Sequence, residues 1–117
     1  MDKVYEIVLL LDFYGQLLTA RQFEILDLHY NNDYSLGEIA ELLSISRQGV
    51  YDNIKRGKTF LTRMEEQLGL VSKFTEHKNT AEKILQHIRN IEKSNLSGKD
   101  LMNLEKVEEG IKEIIEN

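Results

Sequence analysis

The chain has 117 residues, 41% of them apolar and 30% charged, with a net charge of −5. These are the proportions of an ordinary globular domain rather than of a disordered or membrane chain. The longest apolar run, Ile7 to Leu11, falls far short of the ~20 residues a membrane span needs, and the absence of cysteine excludes disulfides, thiolate metal sites and zinc fingers.

Residues 1–6 lack the basic start and small-residue cleavage site of a secretory leader, so the expected setting is the cytoplasm. There is no proline, and turns must be made by glycine, asparagine, aspartate and serine. The first apolar stretch places Val4, Ile7, Val8, Leu11, Tyr14 and Leu18 at helical spacing, with Leu9, Leu10 and Phe13 widening the stripe. A helix this apolar is expected to be buried on two sides, against its own domain and against the C-terminal helices or another subunit. A second helix opens at Thr19, where Thr19-Ala20-Arg21-Gln22 fits a capping box, and runs to about Tyr30 with Phe23, Leu26 and Tyr30 inward and Ile25 beside them. Asn31-Asn32-Asp33 then breaks it.

The third helix starts with another capping box, Ser35-Leu36-Gly37-Glu38, and is expected to bury Ile39, Leu42, Leu36 and Leu43. After a tight turn at Ser44-Ile45, Ser46 can cap a fourth helix whose stripe of Val50, Ile54 and Leu61 continues toward Met64, Leu68 and Leu70. Two more helices follow, roughly 79–94 and 98–116. Their expected faces are Ala81, Ile84, Ile88 and Ile91, then Leu104, Val107, Ile111 and Ile114. The expected fold is all-α: a helix-turn-helix domain with a three- to four-helix core over residues 1–70, and a C-terminal helical hairpin over 71–117, packed on the first helix or on a dimer partner.

Charge is unevenly distributed. Residues 1–45 carry −6, residues 46–63 carry +4 and residues 64–117 carry −3. One cationic segment on an acidic chain is the electrostatic footprint of local phosphate contact, although a solvated helix face has the same composition. The cationic segment falls on the second half of the run from Tyr34 to Tyr51, which has the character of a helix-turn-helix. Ala40 lets two helix axes approach, Ile45 fills the turn, and Leu36, Ile39, Val50 and Ile54 close a small core. The turn after Ser46 would present Arg47 and Gln48, with Tyr51 and Lys55 following on the exposed side. Arginine can pair with guanine, glutamine with adenine, and lysines meet phosphates; the helix N-terminus adds N–H donors for an anion. Asp52 opposes phosphate unless it pairs with Lys55 or Arg56 or accepts from a cytosine amine. The candidate nucleic-acid face is Ser46, Arg47, Gln48, Tyr51, Asp52, Lys55, Arg56 and Lys58.

Leu10-Leu11-Asp12-Phe13-Tyr14, Leu17-Leu18-Thr19, Tyr34 through Ala40 and above all Ser46 through Arg56 resemble the YlxM family of Gram-positive bacteria. The likeness covers about residues 5–75; beyond that only the helical, Lys/Glu-rich character is shared. The resemblance implies a helix-turn-helix without a wing, similar to region four of bacterial sigma factors. It also implies a role in the signal recognition particle pathway, since family members are encoded beside that particle's GTPase, with the particle's protein or its RNA as partner.

His29, His77 and His87 have no ligand spacing, and the neighbouring carboxylates Glu65-Glu66 and Glu108-Glu109 point about 100° apart on a helix. No nucleophile, base and orienter occur together, so neither an enzyme nor a cofactor is expected. Two readings remain open. One is a DNA-binding regulator, most simply a homodimer supported by surplus apolar surface on the first and last helices. The other is an adaptor that binds the particle's RNA or GTPase, favoured by the acidic balance outside residues 46–63.

Overall fold

The computed structural model describes residues 3–116. Its helices are α1 (Lys3–Tyr14), α2 (Ala20–Leu26), α3 (Leu36–Leu43), α4 (Arg47–Leu68), α5 (Leu70–Arg89) and α6 (Gly98–Glu116). A 3₁₀ turn, Gly15–Leu17, follows α1 and a π-helical turn, Asp27–Asn31, extends α2. No strand occurs among the described residues. The chain divides into two compact units, one ending at Val71 and the other starting at Ser72.

In the first unit, α1, α2 and α3 all pack on α4. The core is Ile7, Leu10, Leu11 and Tyr14 from α1, Ile25 and Leu26 from α2, Ile39 and Ala40 from α3, and Val50, Ile54 and Leu61 from α4. Gly57 is buried between them, and a Cβ built on it would lie 2.5 Å from Leu26 Cδ1. That separation is far below contact distance, so α2 and α4 approach as they do because residue 57 has no side chain.

The local signals operate as chemistry requires. Thr19 Oγ1 accepts from Gln22 N–H and Ser35 Oγ from Glu38 N–H, and each partner side chain in turn accepts from the cap's own N–H. Both capping boxes are complete. Asn31 and Asn32 fasten the π turn by donating to the Asp27 carboxylate and carbonyl. Asp33 then takes a left-handed conformation at φ 59° and leads into α3.

Several apolar faces differ from expectation. Phe23 is 39% exposed because its ring lies across the 3₁₀ turn, where a Cβ on Gly15 would meet it at 2.9 Å; Ile25 and Leu26 fill the core in its place. Leu42 is 58% exposed, since the inward arc of the two-turn α3 is set by Ile39, Ala40, Leu36 and Leu43. On α1, Val4, Tyr5 and Phe13 are exposed and Val8 and Leu9 half-buried, so burial is deepest along the stripe from Ile7 to Tyr14. Leu68 and Leu70 are exposed, so the α4 stripe stops at Met64.

The α4–α5 joint also departs from expectation. Gly69 closes α4 in a left-handed conformation, and α5 begins at once at Leu70, about nine residues earlier than its periodicity indicates. The residue before it, Gly69, has no side chain with which to cap it. Tyr14, 1% exposed, donates its hydroxyl to Glu65 Oε1 at 2.6 Å and accepts from Leu70 N–H at 3.1 Å, while Val71 N–H donates to the same carboxylate oxygen at 3.0 Å. Two orphan N–H groups of α5 are thus satisfied by side chains from α1 and α4.

In the second unit, the buried residues of α5 are Ala81, Leu85 and Ile88, with the expected Ile84 and Ile91 exposed. On α6 the less exposed stripe is Leu101, Leu104, Glu108, Ile111 and Ile115, while the expected Val107 and Ile114 are about half exposed. The Arg89–Glu108 ion pair at 3.3 Å ties this edge of α6 to α5.

Both close contacts of the first unit can be probed by stability. Gly57→Ala gains helix propensity of about 1 kcal/mol but overpacks a fully buried leucine, so a net loss of about 1–2 kcal/mol is expected in urea unfolding; a variant as stable as the parent would mean that Leu26 withdraws freely. Tyr14→Phe removes the acceptor for Leu70 N–H and is expected to cost about 1–3 kcal/mol. Burial, and next the hydrogen bond to Glu65, raise the Tyr14 pKa above its ordinary 10.0. Above pH ~10 the unfolded phenol therefore loses its proton before the folded one, and stability falls with rising pH. The Phe variant should lack that part of the alkaline loss in unfolding measured between neutral pH and pH ~11.

Candidate nucleic-acid interface

The α3–turn–α4 segment is joined by Ser44, a non-glycine residue held at φ 57°, and Ile45, whose N–H donates to Ala40 O at 3.1 Å. Ser46 then caps α4, its Oγ accepting from Gly49 N–H at 2.9 Å. Ile39, Ala40, Val50 and Ile54 are buried between the two helices, with Ile45 partly buried against them. The first turn of α4 is thereby projected from a rigid base, with Ser46, Arg47 and Gln48 exposed.

Tyr51, Lys55, Arg56 and Lys58 are also exposed. At ~100° per residue, Gln48, Tyr51, Lys55 and Lys58 fall on one face, while Arg56 lies off it, about 80° round the helix from Gln48. Asp52 is half-buried and takes a bond from Gln48 Nε2 at 3.0 Å, so its partner within the chain is the glutamine amide rather than Lys55 or Arg56. Gln48 is therefore held by an i, i+4 contact. Asn53 is turned back on the helix, donating to Gly49 O at 2.8 Å.

Arg47 does not extend freely into solvent. Its guanidinium lies over Gly37 in the first turn of α3, where an added Cβ would stand 3.1 Å from Nη2 and 3.3 Å from Nε. Gly37 is the participant that sequence reasoning missed: it provides the flat floor on which the arginine rests, and a glycine two residues inside a helix carries no local signal of that use. The neighbouring Glu38 has its pKa lowered by the hydrogen bonds it receives from Ser35 backbone and side chain, which keeps a negative charge at the α3 N-terminus, where the helix dipole favours it.

The basic residues of α4 also extend beyond the expected set. Arg63 and Thr62 are exposed and, together with Tyr51, Lys55, Lys58 and Thr59, line an open groove of about 490 Å³ that Glu66 closes at its far end. The cationic segment reaches Arg63, which at ~100° per residue shares the helical phase of Arg56, seven residues before it. Among the described residues no group of three or more His, Asp or Glu side chains is arranged to hold a metal ion, and no helix is long and apolar enough to cross a membrane.

An all-α unit with a capped, projecting second helix across a tight turn defines a helix-turn-helix protein. The family described as "Putative helix-turn-helix protein, YlxM / p13 like" matches residues 1–101, and the chain belongs to it. It is 68% identical over its full length to the full-length UPF0122 protein of Acetivibrio thermocellus. A UPF0122 protein of Thermoanaerobacter is 47% identical over 97% of each chain, and that of Desulforamulus reducens is 41% identical over 99% of this chain and 96% of its own.

The seat of Arg47 can be tested without any ligand. Gly37→Ala should displace the guanidinium and shift the Arg47 Nε–H resonance, while the melting temperature stays level or rises, because only the flexible end of a side chain must move and the helix gains up to about 1 kcal/mol. An unshifted resonance would place Arg47 elsewhere.

Proposed function

We propose that this protein is a DNA-binding regulator that docks the first turns of α4 in the major groove. The observation that carries this reading is the exposed face from Arg47 through Lys58, fixed at its base by the Ser46 cap and the Ile39–Val50–Ile54 core. In this reading Gln48 and Arg47 meet base edges, Tyr51 packs beside them, and Lys55, Arg56 and Lys58 meet phosphate. Asp52 holds Gln48 in place. The simplest working form is a homodimer that sets two such helices about 34–36 Å apart on successive half-sites, in the cytoplasm.

A second reading is favoured by the acidity of the chain outside residues 46–63, which limits the number of phosphates one molecule can hold. Here the same face serves an adaptor that binds the RNA or the GTPase of the signal recognition particle and modulates the GTPase cycle.

Capture from cell lysate separates the two. On the first reading the protein enriches a short set of DNA fragments, Arg47→Ala weakens binding to them by about 1–3 kcal/mol, and Lys55→Ala weakens all sequences alike. Enrichment of particle RNA or GTPase without DNA would establish the adaptor. Retention of every captured species by the Arg47→Ala/Lys55→Ala variant would remove this face from the function.

A further inference from the structure

Among its described residues α6 buries none. Its less exposed stripe, from Leu101 to Ile115, borders a second line of residues, Asn103, Val107, Gly110 and Ile114, all of them exposed. These follow one another at intervals of four, three and four residues, the spacing of a seam between two helices. Val107 and Ile114, 51% and 52% exposed, stand within ~20° of each other round the helix. On α1, by contrast, the exposed Val4, Tyr5 and Phe13 spread over about half the circumference and form no line.

Gly110 sits in the interior of this helix, although glycine is the poorest helix former after proline. A Cβ built on it would meet nothing within 4 Å, so no contact among the described residues accounts for it; a helix crossing at that point could approach closely. Lys106 and Glu113 are exposed and share one flank of the line, about 100° from Val107 and Ile114. The pattern is symmetric about the glycine. Val107 comes three residues before it and Ile114 four after, while Lys106 comes four before and Glu113 three after. In an antiparallel pair crossing at Gly110, each valine is therefore level with the isoleucine of the other copy, and each lysine with its glutamate, to within one residue's rise of ~1.5 Å. The charged flanks of both helices fall on the same side of such a pair. A parallel pair would put them on opposite sides of the seam and separate the charges.

We propose that this face of α6 is the contact between two copies of the chain, packed antiparallel about a two-fold axis at Gly110, with Val107 of each against Ile114 of the other and Lys106 paired with Glu113. The proposal rests on the homodimeric form put forward above and gives it a surface. A two-fold interface must be complementary to itself, and the line through Gly110 meets that demand in its apolar residues and in its charges. Flanking charges of this kind set the orientation of paired helices.

The test is the dimer dissociation constant of the full-length protein, measured by sedimentation equilibrium at low salt, where ion pairs are least screened, with helical content followed by circular dichroism. Lys106→Glu and Glu113→Lys each set like charges against one another twice per dimer, and each is expected to weaken the dimer about tenfold. Lys106→Glu/Glu113→Lys exchanges the charges and is expected to regain most of the parental affinity. Gly110→Gln fills the crossing point with a better helix former and should abolish the dimer at equal or higher helical content. If the parent is dimeric but Gly110→Gln or the single charge variants dimerise as tightly as it does, or the double variant is no tighter than the single ones, the α6 contact is overturned and the homodimer stands. A parent that stays monomeric, or forms a trimer, at tens of micromolar overturns the contact and the homodimeric form together.

Discussion

The unit that carries the candidate interface depends on the close approach of α2 and α4 at Gly57. Leu26 is fully buried there, and its side chain occupies the space that a Cβ on residue 57 would need. Because α2 comes so near, α4 can also receive α1 and α3 and become the common wall of the core. A 22-residue helix held on one side by three others has little freedom to rotate about its axis. The opposite side, from Arg47 to Arg63, is consequently presented to solvent in one fixed phase. The identity of residue 57 thus bears on a basic surface that it does not touch.

The far end of α4 is anchored by polar contacts. Tyr14 reaches from α1 to Glu65, and the pair accepts the N–H groups of Leu70 and Val71. Such groups are costly to leave unpaired when removed from water, so the contact fixes where α5 starts as well as where α4 stops. The Ser46 cap secures one end of α4 and this junction the other, with the Gly57 contact between them. The Arg47 guanidinium extends that order outward by resting on Gly37, which restricts an otherwise flexible side chain before any partner arrives.

Much of this is legible from local chemistry. The starts of α2, α3 and α4 follow from Thr19, Ser35 and Ser46, because a cap and its donor lie within four residues of one another. The span of α6 is legible for a similar reason, with Ser97 Oγ accepting from Asp100 N–H at its start. The exposed run of Gln48, Tyr51, Lys55 and Lys58 follows from helical phase. Arg63 follows instead the phase of Arg56, and the Gln48–Asp52 pair obeys the i, i+4 spacing of helix neighbours. Gly37 and Gly57 are not legible, since a glycine's use in packing is defined by what lies opposite it. Phe23, Leu42, Ile84 and Val107 show the corresponding limit for apolar residues: periodicity gives an apolar arc wider than any neighbour covers.

Sequence alone dictates that the chain is helical, where the capped helices begin, that a tight turn joins two of them, and that the basic residues lie on the second. These are consequences of interactions between residues a few positions apart, and such residues remain neighbours in any fold. Packing in three dimensions was needed to select which side of each apolar stripe is buried, to rest α2 on Gly57, to start α5 under Tyr14 and Glu65, and to lay Arg47 on Gly37. The pairs involved include residues separated by 10 to 56 positions. Such pairs meet only after the chain has paid the entropy of closing the intervening loops, and hydrophobic burial then selects among faces that are locally equivalent.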